Sequence, residues 1–195
     1  YGYEKSEKII AVSDNIAKEL KAYRKKYANK IVVINNVIDI DSIIEKSKEP
    51  IEESPFSENK FNIVSCGRLA PVKGLHFAVE AVARLVEEGF TDINWYIVGG
   101  GPIEKELREQ IAKHKIEKHI FMLGMKANPY PYIKNGDIYV QPTRYEGKSI
   151  AIDEAKILHK PIVVTNYPTV KDQISDKKNG LIVNQDPKSI CGGIV

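Results

Sequence analysis

Two glutamates, Glu146 and Glu154, enclose Gly147-Lys148-Ser149 and a stretch patterned as a helix from Ser149 to Leu158. At 3.6 residues per turn, Ile150, Glu154 and Leu158 fall on one stripe, so a carboxylate is expected in an apolar helix face. An unpaired buried carboxylate loses hydration and tends to protonate, so this one needs a use. A salt bridge to a lysine, or a helix less buried than the stripe suggests, is the plain reading. Accepting hydrogen bonds from a polyol such as a ribose is another, as carboxylates do in nucleotide-binding folds. The amides of Gly147, Lys148 and Ser149 lie at the start of the same helix, whose positive end favours an anion. Gly147-Lys148-Ser149 also matches the end of a Walker A loop. That motif needs a glycine at position 142, where the chain has Pro142, which argues against a P-loop nucleotidase.

A second loop, Gly67-Arg68-Leu69-Ala70-Pro71-Val72-Lys73-Gly74, sets a guanidinium and an ammonium on either side of a proline. With Lys73-Gly74 where the next helix begins, the cations and free backbone N–H groups could hold a diphosphate. Two solvated loop charges are the alternative. A third, Gly99-Gly100-Gly101-Pro102, falls short of the dinucleotide fingerprint because Glu104 occupies the position of its last glycine. It reads as a tight turn from strand to helix.

The elements that must carry these loops follow from the apolar pattern. Ile9-Ile10-Ala11-Val12 reads as a strand, Ser13-Asp14-Asn15 as cap candidates, Ile16 to Tyr27 as a helix and Lys30 to Val37 as a second strand. Glu45 to Lys60, with Pro50 and Pro55, reads as a linker. Strands are then expected at 61–66, 94–98, 119–123, 137–140, 161–165 and 180–183. Helices are expected at 75–88, ending at Gly89, and from Pro102 to about His114. Apolar strands alternating with helices imply an α/β domain with a doubly wound parallel sheet, whose ligand loops lie at the carboxyl ends of the strands.

Composition excludes several classes. No apolar run approaches the roughly 18 residues of a membrane span. Two cysteines, Cys66 and Cys191, lack metal-ligand spacing and suggest a reducing, cytoplasmic setting. A net charge of +3 arises from interspersed Lys and Glu, which gives no reason to expect a nucleic-acid partner. His76, His114, His119 and His159 are scattered, and no metal is expected. The chain opens on Tyr1 without an initiator Met or a signal peptide and reads as a portion of something longer.

Three motifs occur in order: Gly67-Arg68-Leu69 reaching Lys73-Gly74, Val98-Gly99-Gly100-Gly101-Pro102, and Glu146-Gly147 reaching Glu154-Ala155. In this they resemble the carboxyl-terminal, donor-binding half of a GT-B glycosyltransferase of the large retaining group called family 4. The resemblance runs from about residue 61 to the end. It implies that residues 1–44 are the end of an amino-terminal, acceptor-side domain and a hinge, 45–60 a linker, and 61–195 a Rossmann-like donor domain. Family hinges read Asn-Gly-Val-Asp or Asn-Gly-Ile-Asp. Here Asn36-Val37-Ile38-Asp39, with Asn35 before it, lacks the glycine, and asparagine tolerates positive φ well enough for a turn to survive.

The resemblance also implies roles. Arg68 and Lys73 would hold the diphosphate and stabilise it as it leaves. Gly147, Lys148 and Ser149 would assist at the phosphates or donor sugar, Glu154 would bind the ribose, and Glu146 would face the transferred sugar. Gly124, Met125 and Lys126 would meet the base. Placed along the donor, the two glutamates would not form a glycosidase-type acid and base pair. A nucleoside-diphosphate sugar is then the co-substrate, with no bound cofactor. A saccharide or lipid-linked acceptor would meet the missing domain, in bacterial surface or capsular polysaccharide synthesis, with possible membrane association of the full-length protein at its inner face. A GT-B nucleotide-sugar epimerase, which converts the sugar nucleotide without an acceptor, and a non-catalytic nucleotide-binding domain are the alternatives.

Overall fold

The computed structural model describes residues 2–195. Its larger sheet has six parallel strands: β3 (Phe61–Cys66), β4 (Ile93–Val98), β5 (Ile120–Gly124), β6 (Ile138–Gln141), β7 (Ile162–Thr165) and β8 (Leu181–Val183). Their spatial order is β5-β4-β3-β6-β7-β8. The chain winds outward from β3 to one edge, then returns to the other side of β3 and winds outward again. The reversal lies between β3 and β6, and a crevice opens there at the carboxyl ends of the strands.

Alternation along the strands fills both faces. Ile63, Trp95 and Val163 pack on one side under α4 (Leu75–Glu87), α5 (Glu104–His114) and α8 (Pro187–Ile194). Their chain neighbours Val64, Tyr96 and Val164 pack on the other, with α3 (Ile40–Lys46), α6 (Tyr130–Asn135) and α7 (Ile150–Ile157). Side chains alternate at a period of two, so a strand covered on both faces must be apolar throughout, as β4 is at all six positions except Asn94. A buried hydrogen-bond chain crosses three strands: Trp95 Nε1 donates to Ser65 Oγ at 2.9 Å, and Ser65 Oγ donates to the Val140 carbonyl at 2.5 Å.

The amino-terminal part holds α1 (Gly2–Lys5), β1 (Ile9–Ala11), α2 (Asp14–Tyr23) and β2 (Ile31–Val33), with β1 and β2 paired in parallel. Ser13 caps α2 by accepting from the Ile16 amide at 3.3 Å. Several expectations change here. The helix foreseen to Tyr27 ends at Tyr23 and gives way to a 3₁₀ turn, Lys25–Lys30, while the strand foreseen from Lys30 to Val37 is three residues long. The first residues of the foreseen linker are helical in α3, because Asp39 accepts from the Ser42 amide at 3.0 Å and caps that helix. No positive φ occurs at Asn35, Asn36 or Val37, so the segment expected to be a hinge dispenses with the left-handed residue that a glycine would supply. Further along, Pro102 precedes α5 by one turn residue, Ile103, instead of lying in its first turn.

Candidate functional site

The loops after β3, β4 and β5 are stitched together by backbone. The Gly67 amide donates to Val98 at 2.9 Å, Leu69 to Gly100 at 3.0 Å and Gly99 to Gly124 at 2.9 Å. Within the β3 loop, Pro71–Lys73 form a 3₁₀ turn that ends on Gly74 with φ 63°. That left-handed residue redirects the chain into α4, and a Cβ there would stand 2.0 Å from the Pro142 carbonyl oxygen. The loop after β6 therefore lies directly on the loop after β3. Thr143 Oγ1 and the Arg144 amide both donate to the Val72 carbonyl, at 3.1 and 2.8 Å.

The two expected phosphate cations, Arg68 and Lys73, both line the crevice between the ends of β3 and β6, but their partners differ. Lys73 Nζ forms an ion pair with Glu146 Oε2, the two side chains being 26% and 21% exposed. Arg68 is exposed and has no ion pair among the described residues. It stands at a cleft of about 750 Å³ lined also by Gly67, Gly99, Gly101, Met125 and Lys126. The structure thus brings Arg68 together with residues expected at the base. Gly124 itself is the last residue of β5, with φ 71°, and Met125 beyond it is 83% exposed. Lys126 Nζ lies 5.4 Å from the centroid of the Tyr132 ring.

Of the three amides expected to meet an anion, one is occupied. The Ser149 amide donates to Gln173 Oε1 at 2.7 Å, and Ser149 Oγ caps α7 by accepting from Ile152 at 3.3 Å. Gly147 and Lys148 have no acceptor for their amides among the described residues. The side chain of Lys148 reaches the segment before α3, where Nζ donates to Asn35 Oδ1 at 2.8 Å.

Glu154 also departs from expectation in its surroundings. The buried stripe of α7 runs through Ile152 and Ala155 to Leu158, whereas Ile150 is 49% exposed. Glu154 sits on the shoulder of the helix, half-buried, and no lysine pairs with it among the described residues. Burial raises its carboxyl above the ordinary value, the Tyr130 phenol offsets part of that rise, and Asp153 adds to it. Burial, and then the Glu154 charge, push the neighbouring Cys66 thiol up to about 12. A carboxyl held above its unfolded value favours the fold while protonated. It loses that contribution as pH rises from the ordinary carboxylate value through the raised one. At neutral pH Glu154 is therefore a cost to stability.

Sequence reasoning did not find Thr169, Gln173, Gln141 or Tyr130. No local motif announces them: Thr169 and Gln173 act through Glu146 and Ser149 in a different loop, and Gln141 through Ser149, eight residues on. Their burial is visible only in the structure, where Thr169 is 1% and Gln173 6% exposed.

The order of the six strands, the crevice at their reversal and the cationic loop beside free amides define a Rossmann-like α/β domain of the kind found in GT-B glycosyltransferases. The chain belongs to the glycosyl transferases group 1 family, whose sequence model matches residues 46–194. It is 28% identical over 171 residues to an uncharacterised glycosyltransferase of Methanocaldococcus jannaschii, a match covering 87% of this chain and 42% of that protein. It is also 28% identical over 185 residues to the N-acetylgalactosamine-N,N'-diacetylbacillosaminyl-diphospho-undecaprenol 4-alpha-N-acetylgalactosaminyltransferase of Campylobacter jejuni, covering 94% of this chain and 48% of that one. Among solved structures, Anabaena HepE in complex with UDP and glucose superposes with a TM-score of 0.81 at 21% identity, over 97% of this chain and 52% of that chain. The chain therefore spans less than half the length of these two curated relatives.

Proposed function

We propose that this chain is the donor-binding part of a retaining glycosyltransferase that takes a nucleoside-diphosphate sugar, with the acceptor held by a further domain. The observation that carries the reading is a set of groups at the strand reversal among the described residues: Arg68 without an ion pair, amides at Gly147 and Lys148 without an acceptor, and a half-buried Glu154 that has the Tyr130 phenol beside it but no cation. A nucleoside diphosphate offers each of them a complementary group. Phosphate oxygens suit the guanidinium and the amides, and ribose hydroxyls suit the carboxylate. In this reading the Lys73 and Glu146 pair stands beside the sugar and the leaving phosphate. Relatives named as bacterial glycosyltransferases, among them a putative colanic acid biosynthesis enzyme of Escherichia coli, support a place in surface polysaccharide assembly.

Calorimetric titration with UDP, GDP and ADP tests the reading. One base is expected to bind in preference, and Glu154→Gln is expected to weaken that ligand about tenfold while raising the melting temperature above that of the unaltered protein by more at pH 7 than at pH 4. Equal affinity of Glu154→Gln and the unaltered protein would remove Glu154 from the ribose. Absence of binding by all three ligands at millimolar concentration would contradict the donor assignment.

A further inference from the structure

Resting on the donor reading above, we infer that Thr169 and Gln173 are positioning residues that aim the amides of Gly147 and Lys148 at the ligand's phosphates. Both flank one short 3₁₀ turn, Val170–Asp172, with Thr169 at its start and Gln173 at its end. This turn follows β7 and lies under the loop after β6. Each residue grips a different peptide of that loop.

Gln173 grips Ser149 at two points. Its Oε1 accepts from the Ser149 amide and its Nε2 donates to the Ser149 carbonyl, both at 2.7 Å. Ser149 has φ −82° and ψ 111°, an extended conformation that turns its own N–H and C=O to one side of the chain. The primary amide thus pairs with Ser149 as a neighbouring strand would, and holds φ and ψ there. Ser149 Oγ donates in turn to Gln141 Oε1 at 2.9 Å, anchoring the same residue to β6. The Gln173 backbone is itself held, because Lys156 Nζ donates to its carbonyl.

Thr169 acts one step earlier in the loop. Its Oγ1 donates to the Glu146 carbonyl at 2.6 Å. That carbonyl and the Gly147 amide belong to one peptide, which is trans, so they point in opposite directions. Drawing the carbonyl toward the buried hydroxyl turns the Gly147 N–H away from the core. With the peptide before Gly147 and the residue after Lys148 both fixed, the two free amides between them have little freedom left. An anion then meets donors already oriented, and the cost of ordering them does not fall on binding. The Ser149 amide is spent on the clamp, which leaves two donors for the ligand.

The test compares a nucleoside diphosphate with its nucleoside, since only the former reaches the amides. UDP and uridine, GDP and guanosine, and ADP and adenosine are titrated into the unaltered protein, and the best-bound pair into Thr169→Val, Thr169→Ser, Gln173→Met and Gln173→Glu. Thr169→Val and both Gln173 variants are expected to lose at least tenfold in diphosphate affinity and less than twofold in nucleoside affinity. Thr169→Ser, which keeps the donor, is expected to bind as the unaltered protein does. Melting curves on the same samples establish that each variant folds. Equal loss for diphosphate and nucleoside, or a melting shift with no change in the ratio of the two affinities, would overturn the positioning role and leave the donor site standing. Failure of the unaltered protein to bind any diphosphate would overturn the donor reading, and this inference with it.

Discussion

Arg68→Ala is expected to lower affinity for the preferred nucleoside diphosphate by about 10- to 100-fold, with little change in melting temperature. The magnitude follows from the loss of a hydrogen bond between charged groups, worth about 1.5–3 kcal/mol, at about 1.4 kcal/mol per tenfold. The neutrality for stability follows from the structure: Arg68 is exposed and makes no ion pair among the described residues, so the folded chain loses no charge pairing with the side chain. Lys73 differs, since its removal would strand the partly buried Glu146. Calorimetry and thermal melts on the same preparation separate the two effects. A melting temperature that falls with the affinity would show that Arg68 supports the fold.

Gly99→Ala is expected to damage fold and binding together. Gly99 has φ 147°, and a Cβ built there would lie 1.9 Å from the Gly67 carbonyl oxygen. The contact cannot relax locally, because Gly67 donates to Val98 and Gly99 to Gly124, and both bonds hold the ends of β3, β4 and β5 in register. Overpacking costs about 1–3 kcal/mol and an unfavourable backbone conformation about as much again. A total of roughly 3 kcal/mol lowers the melting temperature of a domain this size by about 6–12 °C. The β3 loop must also move, so diphosphate binding through Arg68 should fall with it. Gly192→Ala is the control: nothing lies within 4 Å of a Cβ there, and the residue is inside α8, where alanine is the better helix former. Equal melting temperatures for Gly99→Ala and the unaltered protein would contradict the close approach.

The sheet was legible in the sequence because its strands are apolar on both faces. Each of the six lies within a residue or two of its expected place, as β4 shows at Ile93–Val98 against 94–98. Helix ends were less legible. Pro102 reads as a first-turn residue, yet the Gly99–Gly101 turn takes an extra residue to pass Leu69, and α5 starts at Glu104. In α7 the expected stripe of Ile150, Glu154 and Leu158 is buried only at Leu158. Ile150, at the first turn, looks apolar enough for the core, but the helix turns Ile152, Ala155 and Leu158 inward. Glu154 was thus found by a pattern that overstated its burial. The Lys73 and Glu146 pair was not legible at all, because 73 residues separate its partners and only the contact between loops joins them. The Ser149 amide looked free for the same reason: its partner, Gln173, lies 24 residues on.

The central claim is that a diphosphate lies between Arg68 and the amides of Gly147 and Lys148, at the strand reversal. Amide chemical shifts of isotope-labelled protein, followed while the preferred nucleoside diphosphate is added, test it most directly. The expected result is that the largest shifts fall on Gly67, Arg68, Gly147 and Lys148, with the Ser149 amide changing less because Gln173 already holds it. Shifts confined to other loops, with those four amides unmoved at saturation, would contradict the account.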